Sequence, residues 1–260
     1  MKRIFSDIKK YFNYIMYSTK AELNNEVANS YLSWIWWILD PLCLMLVYTF
    51  LVKIVFHTRE PYFAVFVFIG ISVWGAYNKV LKASVKLIKS NRGIITKIYL
   101  PKYILIIIKQ FVHLFKTSIA FIIIFIMMAA YKVPFTLNIL YIFPIAALLF
   151  VVTFAFSSLL AHFGTFIEDL TNIVDVVFKF LFYVSGVFFS LSTRVPAPYS
   201  DILLKLNPIA YIIDEFRNVL LFGRHIDFTL YFIWLAIGLI VSYIGIKTIY
   251  KYENSYAKVI

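Results

Sequence analysis

Residues 104–130, ILIIIKQFVHLFKTSIAFIIIFIMMAA, decide the fold class of this chain. A helix crosses the roughly 30 Å hydrocarbon core of a bilayer with about 20 predominantly apolar residues, and this stretch is longer than that. The rest of the chain is similar, because 62% of its 260 residues are hydrophobic and its mean hydropathy is +0.85. Soluble domains are about half apolar, so the sequence predicts an all-α membrane protein.

The apolar segments predict six transmembrane helices. They cover residues 34–56, 62–82, 104–130, 138–162, 172–192 and 228–249. With the amino terminus in the cytoplasm, the cytoplasmic segments hold about twice as many lysines and arginines as the outer ones. The positive-inside rule therefore predicts that both termini are cytoplasmic. It also accounts for the net charge of +12, so we expect no nucleic acid partner.

Residues 2–17 have the pattern of an amphipathic helix, with apolar and charged side chains on opposite faces. The apolar positions are Ile4, Phe5, Ile8, Tyr11, Phe12, Ile15 and Met16. This pattern is typical of a helix that lies on the inner membrane surface, with its lysines toward anionic lipid. Packing against a soluble partner is the alternative.

The predicted cytoplasmic loop 82–102, KASVKLIKSNRGIITKIYLPK, is basic but also patterned. Ser90 and Asn91 are residues that commonly begin a helix, while Gly93 and Pro101 interrupt one. The side chains that would form an apolar stripe on this helix are Ile94, Ile95, Ile98 and Tyr99. The loop therefore predicts a short helix to which another protein docks, with a lipid-binding basic loop as the alternative.

Ionisable side chains inside the predicted spans need polar surroundings, because each costs about 2.5–3.5 kcal/mol on insertion scales. Lys109, His113 and Lys116 share one face of the third span, which predicts a polar cavity on that face. The alternative is snorkelling by Lys109 and pairing of the others with acids such as Asp175. In the fifth span we expect Asp175 to pair with Lys179, and we expect Asp40 to be solvated or paired.

The segment 206–224, LNPIAYIIDEFRNVLLFGR, contains the signals for both ends of a helix. Asn207 suits the N-cap, Pro208 the first helical position and Gly223 the position after the helix. The predicted helix over 208–222 is about 22 Å long and too short to cross a membrane.

The predicted helix over 208–222 also contains polar side chains. Asp214, Arg217 and Asn218 share a face, and we expect them to satisfy one another. Together with residues 195–206, the segment predicts two short helices that enter the outer side of the membrane and return. Such helices are tolerated only where they pack against protein or line a water-filled cavity, which indicates the mouth of a pathway.

The sequence contains no recognisable catalytic motif. It lacks the GxxxxGK[ST] phosphate loop, and His57, His113, His162 and His225 do not have metal-ligand spacing. We therefore expect no ATPase site, no metal site and no enzymatic activity in this chain.

Five segments resemble the membrane subunits of ABC type-2 exporters, especially those that export bacterial polysaccharides, and the resemblance covers nearly the whole chain. These segments are NSYLSWIWWILDPLCLMLVY (29–48), FIGISVW (68–74), NRGIITKIYLPK (91–102), EDLTNIVDVVFKFLFYVSGVFFS (168–190) and LNPIAYIIDEFRNVLLFGR (206–224). Exporters of O-antigen, teichoic acid and rhamnose polysaccharide are the most similar. Two positions depart from the family pattern: Gly186 replaces a common proline and is expected to soften a helix kink, and Glu168 replaces a common basic residue.

The resemblance implies a single permease domain over 1–260 in the bacterial plasma (inner) membrane. It would contain an interface helix within 1–32, a six-span domain over 34–250, a coupling helix at 90–101 and re-entrant helices at 196–222. The implied assembly is a homodimer joined by two separate ATP-binding subunits, which would hold ATP and Mg, whereas this chain would hold no cofactor. The implied substrate is a glycan on a lipid carrier, moved outward from the cytoplasm.

The resemblance also implies roles for particular residues. The implied contacts with the ATP-binding subunit are Asn91, Arg92, Ile94, Ile95, Lys97, Ile98, Tyr99, Glu168 and Asp169. The implied substrate path comprises the aromatic residues Trp74, Tyr77, Tyr183, Phe188 and Phe189 beside Lys109, His113 and Lys116. The implied re-entrant helix contains Asn207, Pro208, Asp214 and Arg217.

Three alternative functions remain open at this point. The first is an ABC type-2 permease for a drug, a lipid or heme. The second is an ion-coupled secondary transporter, which the lack of an obvious internal repeat disfavours. The third is an intramembrane glycan-processing enzyme, which the lack of a catalytic constellation disfavours.

Overall fold

The structure, a computed structural model, describes residues 2–28, 33–55 and 61–259. His57 and Arg59 lie outside the described residues. Within these ranges the regular structure is helical. The helices are α1 Lys2–Ala28, α2 Ser33–Thr49, α3 Phe63–Val85, α4 Leu87–Ser90, α5 Arg92–Ile95, α6 Tyr103–Ala130, α7 Ile142–Phe166, α8 Leu170–Val184, α9 Leu191–Arg194, α10 Tyr199–Leu206, α11 Pro208–Leu221, α12 Phe228–Lys251 and α13 Glu253–Val259. A π-helical turn, Phe50–Val55, extends α2, and a 3₁₀ turn, Leu137–Tyr141, precedes α7.

In the described part of the chain, five helical segments are long and apolar enough to cross a membrane. They are Trp34–Val52, Phe63–Val85, Tyr103–Ala130, Leu137–Phe166 and Phe228–Lys251. They coincide with five of the six predicted spans. This is the pattern of a multi-pass membrane protein.

The predicted fifth span, 172–192, has a different structure from the others. Its helix, α8, has 15 residues and ends at Val184, which makes it about 22 Å long. Gly186 follows with φ +64, a left-handed conformation that a helix cannot continue through and that glycine adopts without strain. The expected soft kink at Gly186 is therefore a helix end, and the count of six spans remains a prediction.

Helix α3 lies at the centre of the larger hydrophobic core, where it contacts α2, α6, α7, α8 and α11. Most of its side chains are buried. Helix α11 is also largely buried, because it packs against α3 and α7. Helix α12 packs along α7.

A second hydrophobic cluster joins α1, the first turns of α6, the end of α12 and α13. Helix α1 is longer than the predicted 2–17 and runs to Ala28. Ile15 is buried in this cluster, whereas Phe12 and Met16 on the same predicted face are exposed. The apolar face of α1 is thus divided, with one edge packed on its own chain and the other free to contact lipid.

The predicted pairing within α8 is wrong. Asp175 pairs with Lys82 of the neighbouring α3, with the Nζ and Oδ1 atoms 2.6 Å apart, instead of with Lys179. Helix α8 packs against α3, and this packing brings Lys82 of α3 next to the Asp175 carboxylate. Periodicity within α8 could not indicate this partner.

Candidate functional site

The loop between α3 and α6 contains two single-turn helices, α4 and α5, which are separated at Asn91. The predicted N-cap role of Asn91 is wrong, since its side chain does not cap α5. Its amide instead donates to the carbonyl oxygen of Leu87 across 2.8 Å, which satisfies the end of α4. The helix is therefore interrupted by a turn at Asn91 in place of continuing through the loop.

This turn exposes three large apolar side chains. Ile94, Ile98 and Tyr99 are 37%, 48% and 60% exposed, whereas Ile95 packs against the second cluster. The side chains of Arg92 and Lys97 are exposed beside them. We call Ile94, Ile98 and Tyr99 the docking surface, because neighbouring exposed apolar side chains mark a site of interaction.

The carboxyl-terminal helix α13 holds the base of the docking surface. Lys102 Nζ lies 2.5 Å from Glu253 Oε1, and the Tyr99 hydroxyl donates to Glu253 Oε2 across 3.4 Å. Tyr256 anchors α13, since its hydroxyl lies 2.8 Å from His162 Nδ1. Burial raises the pKa of Tyr256, so this hydroxyl stays protonated. Sequence reasoning missed Glu253, because a single acid near the end of a chain does not indicate its partner.

The second predicted ATPase contact, Glu168 and Asp169, lies in the exposed turn between α7 and α8. Glu168 lines a shallow cavity together with Lys86, Lys89 and Ser90 from the loop that carries the docking surface. Gly164 permits this proximity, because a Cβ atom there would lie 2.1 Å from the carbonyl oxygen of Val85. The structure thus brings the two predicted contact regions to one face of the molecule.

A cavity of about 520 Å³ lies among the end of α1 and helices α2, α3 and α6. We call it the charged cavity. The ionisable residues that line it are Glu26, Asp40, Lys79, His113 and Lys116, and the tryptophans are Trp36, Trp37 and Trp74. It places charged side chains around an open space next to the third span, but Lys109 is not among its lining residues.

The lysines of the third span are paired with acids of α1. Lys109 Nζ lies 2.5 Å from Glu22 Oε1, and Lys116 Nζ lies 2.5 Å from Glu26 Oε2. Glu26 also accepts from the indole of Trp37 across 3.1 Å. Both partners come from α1. The pairing alternative holds for Lys116, with Glu26 in place of Asp175, whereas Lys109 is paired with an acid although that alternative expected it to snorkel. Asp40 is paired as expected, 3.6 Å from Lys79 Nζ.

The predicted aromatic path divides into buried and accessible residues. Trp74 and Tyr77 are buried in the core, although Trp74 also lines the charged cavity. Tyr183 is exposed, and Phe188 stacks on Tyr48 with the ring centroids 4.9 Å apart. We call the accessible group the aromatic cluster. Its members are Tyr48, Phe182, Tyr183, Phe188 and Phe189.

Helix α11 begins and ends as predicted. The Asn207 side chain accepts from the backbone amides of Ile209 and Ala210 across 3.2 and 3.4 Å, and Pro208 is the first helical residue. Gly223 has φ +59, the left-handed conformation expected after a helix end.

The expected set of contacts among Asp214, Arg217 and Asn218 is only partly present. Asn218 donates to Asp214 Oδ2 across 3.1 Å. Arg217 turns into the core, where it donates to the carbonyl oxygens of Phe66, Gly186 and Val187 at 3.1, 2.8 and 2.5 Å. The sequence placed Arg217 on the face of Asp214 but gave no signal for carbonyl acceptors so far away along the chain.

Within residues 2–28, 33–55 and 61–259, no group of three or more histidine, cysteine, aspartate or glutamate side chains could hold a metal ion.

Comparison with known proteins gives a family and a set of relatives. The family model described as ABC-2 type transporter matches residues 13–221. A protein named O-antigen export system permease protein RfbA from Myxococcus xanthus is 24% identical over 220 residues, covering 84% of each chain. Two proteins of the same name from Klebsiella pneumoniae are 23% and 24% identical over 253 residues, covering 96% of this chain and 95% of each relative.

Proposed function

This chain belongs to the ABC-2 type transporter family, and from that premise we propose that it exports a lipid-linked polysaccharide. It is a multi-pass protein of the bacterial inner membrane and the membrane subunit of a transporter. The proposed cargo follows from the relatives, which are named as O-antigen export permeases and align with 84–96% of the chain. The cargo class is thus a polysaccharide or teichoic acid chain on a lipid carrier.

The energy for export would come from a separate ATP-binding subunit, which would hold ATP and Mg. The observation that carries this proposal is the docking surface, because three large apolar side chains are exposed on a loop between two candidate spans. A cleft on the partner would cover them, with Glu168 and Asp169 as a second contact. The family resemblance favours two copies of this chain with two ATP-binding subunits.

The route of the glycan would follow the aromatic cluster. Aromatic rings supply rigid, broad contact surfaces, and the partial exposure of Tyr183 and Phe188 makes these rings accessible. Helices α10 and α11 would form the re-entrant pair near the outer exit. The burial of α11 against α3 and α7 supports this, because such helices need protein around them. In this arrangement α8 and the segment after it complete six crossings, and both termini are cytoplasmic.

Depletion of the chain in the cell that produces it tests the proposal. We expect lipid-linked glycan to accumulate on the cytoplasmic side and to disappear from the surface, and an ATP-binding subunit to co-purify with the chain. A drug or lipid permease predicts normal surface glycan after depletion. A secondary transporter predicts that no ATP-binding subunit co-purifies.

A further inference from the structure

We propose that the charged cavity and an apolar cleft beside it form a binding site for one phosphatidylethanolamine molecule. The zwitterionic headgroup occupies the charged cavity, and one acyl chain occupies the cleft. This site is separate from the docking surface and does not depend on which cargo the transporter moves.

The apolar cleft has a volume of about 380 Å³ and lies between α6 and α7. Along α6 its lining runs from Gln110 to Phe125, which at 1.5 Å per residue is about 22 Å. One leaflet of the hydrocarbon core is about 15 Å thick, half of the whole. The cleft is thus long enough for the acyl chain of a lipid in a single leaflet.

The cleft and the charged cavity adjoin each other. Ala76 of α3 and His113 and Thr117 of α6 line both of them. Trp36 and Trp37 line the charged cavity, and tryptophans are enriched at the level of lipid headgroups. A compartment that contains charged side chains and tryptophans shares a wall with a compartment lined mainly by apolar side chains, and this arrangement matches the two parts of an amphiphile.

The charges in the cavity favour a zwitterion over an anion. Lys79 and Lys116 each face a carboxylate, Asp40 at 3.6 Å and Glu26 at 2.5 Å. An anion alone would compete with these carboxylates for the lysines and leave the acids without a cation. A phosphate joined to an ammonium group adds one charge of each sign, so every charged group keeps an opposite partner. The primary ammonium also donates three hydrogen bonds, as a lysine does.

Native mass spectrometry of the purified transporter, with any subunits that co-purify, tests this site. The detergent-solubilised complex is offered an equimolar mixture of phosphatidylethanolamine, phosphatidylcholine and phosphatidylglycerol. We expect phosphatidylethanolamine to be retained most strongly. Equal or stronger retention of phosphatidylglycerol overturns the proposal, as does equal retention of phosphatidylcholine.

Two variants locate the site. Asp40→Asn removes a carboxylate that faces the ammonium and frees Lys79, so we expect about tenfold weaker retention of phosphatidylethanolamine and no loss, or a gain, in retention of phosphatidylglycerol. Asp201→Asn, at an exposed acid of α10, is the matched control and should have no effect. Ala146→Phe fills the cleft and should weaken every two-chain lipid alike. If Asp40→Asn binds as the wild type does, the proposal is wrong; if that variant does not fold, the lipid competition on the wild type still decides.

Discussion

The guanidinium group of Arg217 donates a hydrogen bond to the backbone carbonyl of Gly186 across 2.8 Å, which joins α11 to the end of α8. Its Cζ atom also lies 3.6 Å from the centroid of the Phe66 ring, and only 2% of the residue is exposed. The carbonyl at Gly186 is available because α8 has already ended at Val184. The carbonyl just after the end of α8 therefore gains a hydrogen-bond donor, and the buried guanidinium group of Arg217 gains an acceptor.

Removing the Arg217 side chain should destabilise the protein. Arg217→Ala leaves the carbonyls of Phe66, Gly186 and Val187 buried without this donor, at a cost of about 1–3 kcal/mol for an unsatisfied group. We expect a clearly lower midpoint of thermal unfolding in detergent. Arg224→Ala, which changes an exposed arginine just after α11, is the matched control. Equal midpoints for the two variants would contradict the role assigned to Arg217.

The docking surface should determine assembly with the ATP-binding subunit. The double variant Ile98→Ala, Tyr99→Ala should insert normally but retain less ATP-binding subunit on purification, because buried anchors at interfaces contribute about 1–3 kcal/mol or more each. Export should fall in parallel. Phe135→Ala with Leu137→Ala removes two exposed apolar side chains on the opposite side of the predicted topology. If both double variants behave alike, the docking surface does not bind the partner.

Local signals made some parts of this structure predictable. The start of α11 and the turn after it were predictable, because Asn207, Pro208 and Gly223 affect the backbone only within a few residues of their own positions. The spans around α3 and α12 followed from the lengths of their apolar runs. The partners of ionisable groups did not follow, because Glu22 is 87 residues from Lys109 and the carbonyl of Phe66 is 151 residues from Arg217. No helical period connects positions so far apart, and only packing decides which of several acids or carbonyls lies nearest.

The orientation of the chain can be measured with cysteine labelling. In a Cys43→Ser background, Arg224→Cys lies just beyond α11 at an exposed position, and we expect a membrane-impermeant maleimide to label it in intact cells. Lys97→Cys, on the loop that carries the docking surface, should be labelled only after permeabilisation. If Arg224→Cys is labelled only from the cytoplasmic side, the orientation of the chain is the opposite of the one proposed.

Lys109 and Lys116 should differ in their effect on export, although both are paired with α1. The side chains of Glu22 and Glu26 are 33% and 44% exposed, so each carboxylate can be solvated when its lysine is replaced by a neutral glutamine. We therefore expect Lys109→Gln and Lys116→Gln to reach the membrane at normal levels. Of these two lysines, Lys116 lines the charged cavity, where it would lie beside the phosphate of the proposed phosphatidylethanolamine headgroup. Lys116→Gln should then lower export in a surface-glycan assay while Lys109→Gln leaves it nearly unchanged. A loss of protein in either variant would show that these pairs fasten α1 for stability, and equal export by both would show that the charged cavity has no part in transport.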